Sequence, residues 1–217
     1  MRYLAIAAVL LTCAAGCGDS ASQPSSSATD EDFLRITLQN EDVPPAIATL
    51  SEAQVVVIPV DSKQCLLPSE SPEAAPSTLV FRTFDAPEPF PARGAQRVIV
   101  TSVLHSKAER ARSEFACASA MLSQGDTQRL LQPEWQLLSY EELTRPDVGE
   151  ERTIIHYVAV NAEGLVFLET YWSEFRRGEV TAVLNIRAPL DNISLAQFES
   201  LALKLDQRIQ EGLGSLQ

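Results

Sequence analysis

Positive charge is what this chain has least of. Its 217 residues carry 17 Lys and Arg against 29 Asp and Glu, a formal net charge of −12. Phosphate binding rests on cation count, so a chain with no basic run beyond Arg176-Arg177 excludes nucleic acid as its partner. There are 2 histidines, and the sequence contains no His-Glu-x-x-His, Gly-x-Ser-x-Gly, phosphate loop or Cys-x-x-Cys. No cofactor, no metal and no recognisable catalytic set is therefore expected. Past the first dozen residues no apolar run approaches the roughly 20 residues of a membrane-spanning helix. Glycine (9) and proline (13) cluster without a period, which excludes collagen-like sequence. Cysteine, at 4 residues, is too sparse for a disulfide scaffold.

What is present begins at the N-terminus. Met1-Arg2-Tyr3 carries one positive charge, Leu4 to Thr12 is almost wholly apolar, and small residues lead to Cys17. That order is a secretory signal peptide. Ala14-Ala15-Gly16-Cys17 resembles the lipobox of bacterial lipoproteins, with Ala14 where leucine is most common. The resemblance implies cleavage before Cys17 and a diacylglyceryl group on its sulfur. Gly18 to Asp30 is Ser-rich with no large apolar side chain, a tether reaching roughly 20 Å. The expected organisation is a signal over 1–16, a lipidated Cys17 with tether over 17–31, and one globular domain over 32–217. An apolar content of 45% supplies that domain with a core. The membrane is then a partner through the lipid anchor, in an extracytoplasmic location.

Cys13 leaves with the signal and Cys17 takes lipid, so Cys65 and Cys117 remain to pair in an oxidising compartment. Ser106-Lys-Ala-Glu109 reads as a capping box opening a helix to about Ser123. Its apolar stripe is Ala108, Ala111, Phe115, Ala118 and Leu122, which leaves Cys117 on the other side, free to staple the Pro-rich loop holding Cys65.

The rest of the domain reads as α+β. Strands are expected at Gln54 to Val60, Thr78 to Phe84, Arg97 to Leu104, Trp135 to Tyr140, Arg152 to Val160, Leu165 to Phe175 and Glu179 to Ala188. Ser194-Leu-Ala-Gln197 is a second capping box, opening a helix with Phe198, Leu201, Ala202, Leu205 and Ile209 on one side. The fold class is an antiparallel sheet with a C-terminal β-meander and both main helices on one face.

Two turns set the meander's register. Arg176-Arg177-Gly178 as a three-residue loop pairs Phe175 with Glu179, and Asn161 to Gly164 pairs Val160 with Leu165. This count puts Tyr157, Trp172, Leu184 and their neighbours under the helices. It puts His156, Glu169 and Asn185 in one row on the other face, with Tyr171, Arg187 and Arg152 around them. That face is a candidate binding surface. A one-residue slip would scatter it.

A strand, a Ser-led helix carrying a cysteine (Ser106 to Cys117), a strand led by Trp135, a meander and a closing helix (Ser194 to Gln210) resemble the extracellular sensor domains and small lipoproteins of actinobacteria. The resemblance favours a non-catalytic domain binding a small ligand or another envelope protein. The rival is an envelope hydrolase or carrier whose site has no sequence signature.

Overall fold

The computed structural model describes residues 29–45, 50–58, 77–85, 97–122, 125, 127–128, 131, 133–164 and 166–216. The signal segment, Cys17, nearly all of the tether and Cys65 lie outside them. Seven strands form one antiparallel sheet: β1 (Leu50–Ile58), β2 (Ser77–Asp85), β3 (Arg97–Leu104), β4 (Trp135–Glu142), β5 (Glu151–Asn161), β6 (Phe167–Arg177) and β7 (Val180–Pro189). Their spatial order is β1-β2-β3-β7-β6-β5-β4, so the last strand joins two three-stranded halves. Among the described residues the α-helices with full bounds are α1 (Asp30–Leu34), α2 (Ala108–Ala120) and α3 (Leu195–Leu216). The expected α+β class, antiparallel sheet and closing meander are all present.

The helices correct one expectation. They lie on opposite faces of the sheet. Cross-strand partners share a face, which makes Val100, Leu184, Ser173 and Ile154 one row, and Ile99, Asn185, Trp172 and Ile155 the next row on the opposite face. The first face packs against α3, whose Phe198, Leu201, Ala202, Leu205 and Ile209 are buried with Val98, Val100, Leu184 and Ile186. The second lies under α2, where Ser119 Oγ meets Thr153 Oγ1 and Ala111 and Phe115 are buried. Both faces of the sheet are thus covered, and both need apolar residues.

The α3 side is the larger core. Fully burying an aliphatic or aromatic side chain contributes roughly 1.5–3 kcal/mol, and α3 supplies several. The Ser194–Gln197 capping box forms as expected: Gln197 N–H donates to Ser194 Oγ (3.3 Å) and Ser194 N–H to Gln197 Oε1 (2.8 Å). The segment after α1 adds Ile36, Leu38 and Val43 to this core. Gly212 permits that approach, since a Cβ there would sit 2.6 Å from Ile36 Cγ2. Arg208 to Asp42 (2.9 Å) and Arg177 to Asp206 (2.6 Å) tie α3 to the chain around it. α1 starts at Asp30 under a Thr29 capping box, just inside the expected tether.

The meander's register differs from the sequence count at both turns. Arg177 pairs with Val180 around a two-residue turn, Gly178-Glu179, with Gly178 at φ 55°. A glycine first in a two-residue hairpin suits the strand twist better than a three-residue loop. The shift is odd, so every β7 side chain changes face. At the other turn Val160 pairs with Phe167, a shift of two that keeps β5 and β6 facing as counted. At α2, Lys107 occupies the cap with no side-chain bond, so the Ser106–Glu109 box does not form.

Candidate functional site

The expected row splits along those lines. His156 and Glu169 share the α3 face as diagonal neighbours, 2.9 Å from Nε2 to Oε1. Tyr171, directly across from His156, stacks on its ring at 4.4 Å and donates its hydroxyl to the same Oε1 (3.1 Å). Glu169 Oε2 accepts the Asp191 N–H (3.2 Å), and Phe198 of α3 stacks on Tyr171 at 5.2 Å. Burial, together with the Glu169 charge, pushes the Tyr171 hydroxyl up to about 12, so it stays a donor. Glu169 is buried and accepts from three groups. This cluster is a knot tying β5, β6 and the turn before α3, and little of its hydrogen-bonding capacity is left over. The plain solvated sheet face does not exist.

Arg152 shares that face but turns outward to Asp147 (2.5 Å). Asn185 and Arg187 belong to the α2 face, a correction that follows from the odd register shift. Arg187 stands there between Thr170 and Arg97, whose guanidinium is paired with Asp85 at 2.5 Å. Beside the knot, Leu143, Thr144, Arg145, Leu195, Ala196 and Glu199 line an open groove, spanned by Arg145 and Glu199 at 3.5 Å.

The α2 face holds what the sequence reading missed. Glu174 is only 5% exposed, on the strand face under α2. Burial, then the charge of Glu114 on α2, raises its carboxyl to about 8. Burial raises Glu114 as well, against the pull of Arg110. Two residues before Glu174 comes Trp172, opposite Asn185. The indole Nε1 and the Asn185 Nδ2 are both shielded from water with no hydrogen-bond partner. Ser102 and Ser173 also carry unpartnered hydroxyls, on the other face, but they sit singly, opposite Ala182 and Leu184. Alternation in β6 was the available signal: Trp172, Glu174 and Arg176 project together. Arg176 is paired with Glu150 (2.6 Å) and Glu151 (2.5 Å), and Glu174 has no such counter-charge.

The other histidine is His105, buried at the end of β3. Its Nδ1 lies 3.3 Å from Ser77 Oγ and its Nε2 2.9 Å from Thr181 Oγ1. Burial, with Arg110 nearby, lowers it to about 4. A base that weak, shut away from solvent, is poorly suited to activating Ser77 near neutral pH. Among the described residues no three His, Cys, Asp or Glu side chains are placed to hold a metal ion, and no helix is long and apolar enough to cross a membrane.

The extracellular domain of PknH from Mycobacterium tuberculosis has a similar fold. The TM-score is 0.50 at 12% sequence identity, over 88% of this chain and 100% of that one. The sequence resemblance to actinobacterial extracellular sensor domains therefore holds at the level of fold. No family model matches the chain, and no curated protein does.

Proposed function

We propose that this chain is a lipid-anchored, extracytoplasmic binding domain of the bacterial cell envelope, sensor-like and non-catalytic. The signal segment, Ala14-Ala15-Gly16-Cys17 and the Ser-rich tether support the anchor, and the fold shared with a kinase's extracellular domain is consistent with a receptor-type role. The observation that carries the binding reading is the fold shared with that extracellular domain over 88% of this chain. Beside the His156–Glu169 pair the Tyr171 phenol is spent on Glu169, an arrangement that supports a structural role for this cluster.

Within the expected binding face, Asn185 stays in the proposed contact surface, while His156, Glu169 and Tyr171 hold the fold. Arg152 and Arg187 have no assigned contact. A Cys65–Cys117 disulfide belongs to the same proposal, supported by Cys117 not being a free thiol.

Mass spectrometry of the mature N-terminus is the test. An acylated Cys17 is expected, and Cys17→Ser should move the protein from membrane to soluble fractions. An unmodified, soluble product of the unaltered gene would refute the anchor.

A further inference from the structure

The two edges of the sheet are finished differently. β4, at one end, carries devices that keep an edge strand from pairing. A bulge at Leu138 breaks its register between Leu137 and Ser139, Gln128 Oε1 already accepts the Leu137 N–H (2.9 Å), and Glu141 and Glu142 close the strand. β1, at the other end, has none of these. Its 9 residues run in unbroken register against β2, from Leu50 opposite Asp85 to Ile58 opposite Ser77. It contains no proline or lysine, its only charged residue is Glu52, and Val55-Val56-Val57-Ile58 is β-branched throughout. Among the described residues its one hydrogen bond beyond the ladder with β2 is Ser51 Oγ to Asn40 Oδ1, near the Leu50 end (2.5 Å). Val57 is 63% exposed. A bare, apolar edge of this length is a template for another strand.

The strand suits a copy of itself. A two-fold axis perpendicular to the sheet sets β1 antiparallel to β1 and keeps corresponding faces on the same side. Centred on Val56, the axis pairs Val56 with Val56, Val55 with Val57 and Gln54 with Ile58. Glu52 stays outside the paired stretch, so two chains of net charge −12 meet where neither strand is charged. The same axis keeps the two α1 segments apart, because the Asn40–Ser51 contact lies at the far end of each strand. α1 lies against β1, β2 and α3, on the side where Arg82, opposite Ala53, donates to the Leu38 carbonyl (2.7 Å). Both Thr29 residues, where the tethers join the domain, then lie on one side of the combined sheet.

We propose that β1 pairs with the β1 of a second copy, joining two domains into one continuous sheet about this axis. The inference goes beyond the binding reading and does not depend on the anchor. A paired stretch this short buries less than the roughly 1,200 Å² of stable complexes, so the dimer is reversible. Two tethers held by one membrane raise the local concentration and favour it.

Cysteine trapping on the full chain, in membranes and in solution, tests the pairing. Directly opposed residues have Cβ atoms about 4.5–5.5 Å apart, close to disulfide reach, and diagonal ones lie farther away. Under mild oxidant Val56→Cys should give a covalent dimer at least about tenfold faster than Leu138→Cys, which is 52% exposed on the blunted edge. Val55→Cys and Val57→Cys chains, mixed, should link to each other faster than either links to itself. The unaltered chain sets the background. Sedimentation of that unaltered chain should show a monomer–dimer equilibrium. The double variant Val55→Lys, Val57→Lys places lysine opposite lysine, and should weaken the equilibrium about tenfold or more with the circular dichroism spectrum unchanged. Equal trapping of Val56→Cys and Leu138→Cys would overturn the proposal, as would a wild-type chain that stays monomeric to about 1 mM, the weak limit of specific association. Trapping of Val56→Cys mainly on a different protein would assign the edge to a foreign strand and overturn self-pairing. The wild-type sedimentation needs no variant, so a misfolded variant would not shield the idea.

Discussion

One strand, β6, serves two different surfaces. Its Tyr171, Ser173 and Phe175 face α3, while its Trp172, Glu174 and Arg176 face α2. On the α3 side the main polar groups are spent: Glu169 has three donors and Asp206 has Arg177. A continuous aliphatic core surrounds them. On the α2 side the apolar clusters are small satellites, and the buried Glu174 stands beside them. Unpartnered buried polar atoms occur on both sides, Ser102 and Ser173 toward α3, Trp172 and Asn185 toward α2. What differs is the packing: the larger share of the apolar core lies on the α3 side.

The comparison breaks if α2 proves as important to stability as α3. Phe198→Ala, at a fully buried position stacked on Tyr171, should cost about 3–5 kcal/mol in urea unfolding. Phe115→Ala on α2 should cost clearly less, and an equal loss would erase the distinction.

The pH dependence sharpens it, because Glu174 and His105, whose shifted values fall between about 4 and 8, both face α2. Glu174 has a folded value of about 8 against 4.5 unfolded. The folded state therefore holds a proton that the unfolded state gives up, and stability falls as pH rises from 4.5 to about 8, then levels. Glu174→Gln should remove that slope and gain on the order of 2–4 kcal/mol at the alkaline end. His105 acts on the acid side. With a folded value of about 4 against 6.5, its contribution is complete above 6.5 and is lost as pH falls toward 4. Melting curves of the wild type and Glu174→Gln that stay parallel across the range would count against this assignment.

A smaller effect is expected at the knot. Glu169→Leu strips the acceptor from His156, Tyr171 and the Asp191 N–H, and should cost about 1–3 kcal/mol. Smallest of all, Arg145→Ala loses only an exposed pair with Glu199, worth about 0–1 kcal/mol. A larger loss would mean that the groove edge carries more of the structure than its exposure implies.

The strands were legible because β-branched and aromatic residues fill them between proline-rich breaks, and α3 because its cap and its Phe198-to-Ile209 stripe agree. Facing was not. Gly178 fits either a three-residue loop or a two-residue turn, and the choice moves Asn185 from one side of the sheet to the other. Hydrophobic alternation could not arbitrate, since a sheet covered on both faces has apolar side chains on both: Ile154 and Phe175 toward α3, Ile155 and Trp172 toward α2. His156 and Glu169 were brought together correctly because the error at their turn was even. The start of α2 was misplaced because long-range contacts hold His105: its N–H bonds the Glu179 carbonyl (2.9 Å) and its ring meets Ser77 and Thr181. The weakened acidity of Glu174 had no local sequence cue, since burial under a helix some sixty residues earlier produces it.

The position of β7 also governs how the chain can fold. It is the seventh strand made and the fourth in space, the only bridge between β1-β2-β3 and β6-β5-β4. Until it arrives, β3 and β6 each present a bare hydrogen-bonding edge, and the surface that α3 will cover is cut in two. Neither half can mature early. Joining them requires β3 to find a strand more than seventy residues away, a contact whose loop-closure entropy slows the search. Folding of the sheet is therefore expected to be a late, all-at-once event, and a chain shortened before Val180 should be left as two sticky half-sheets.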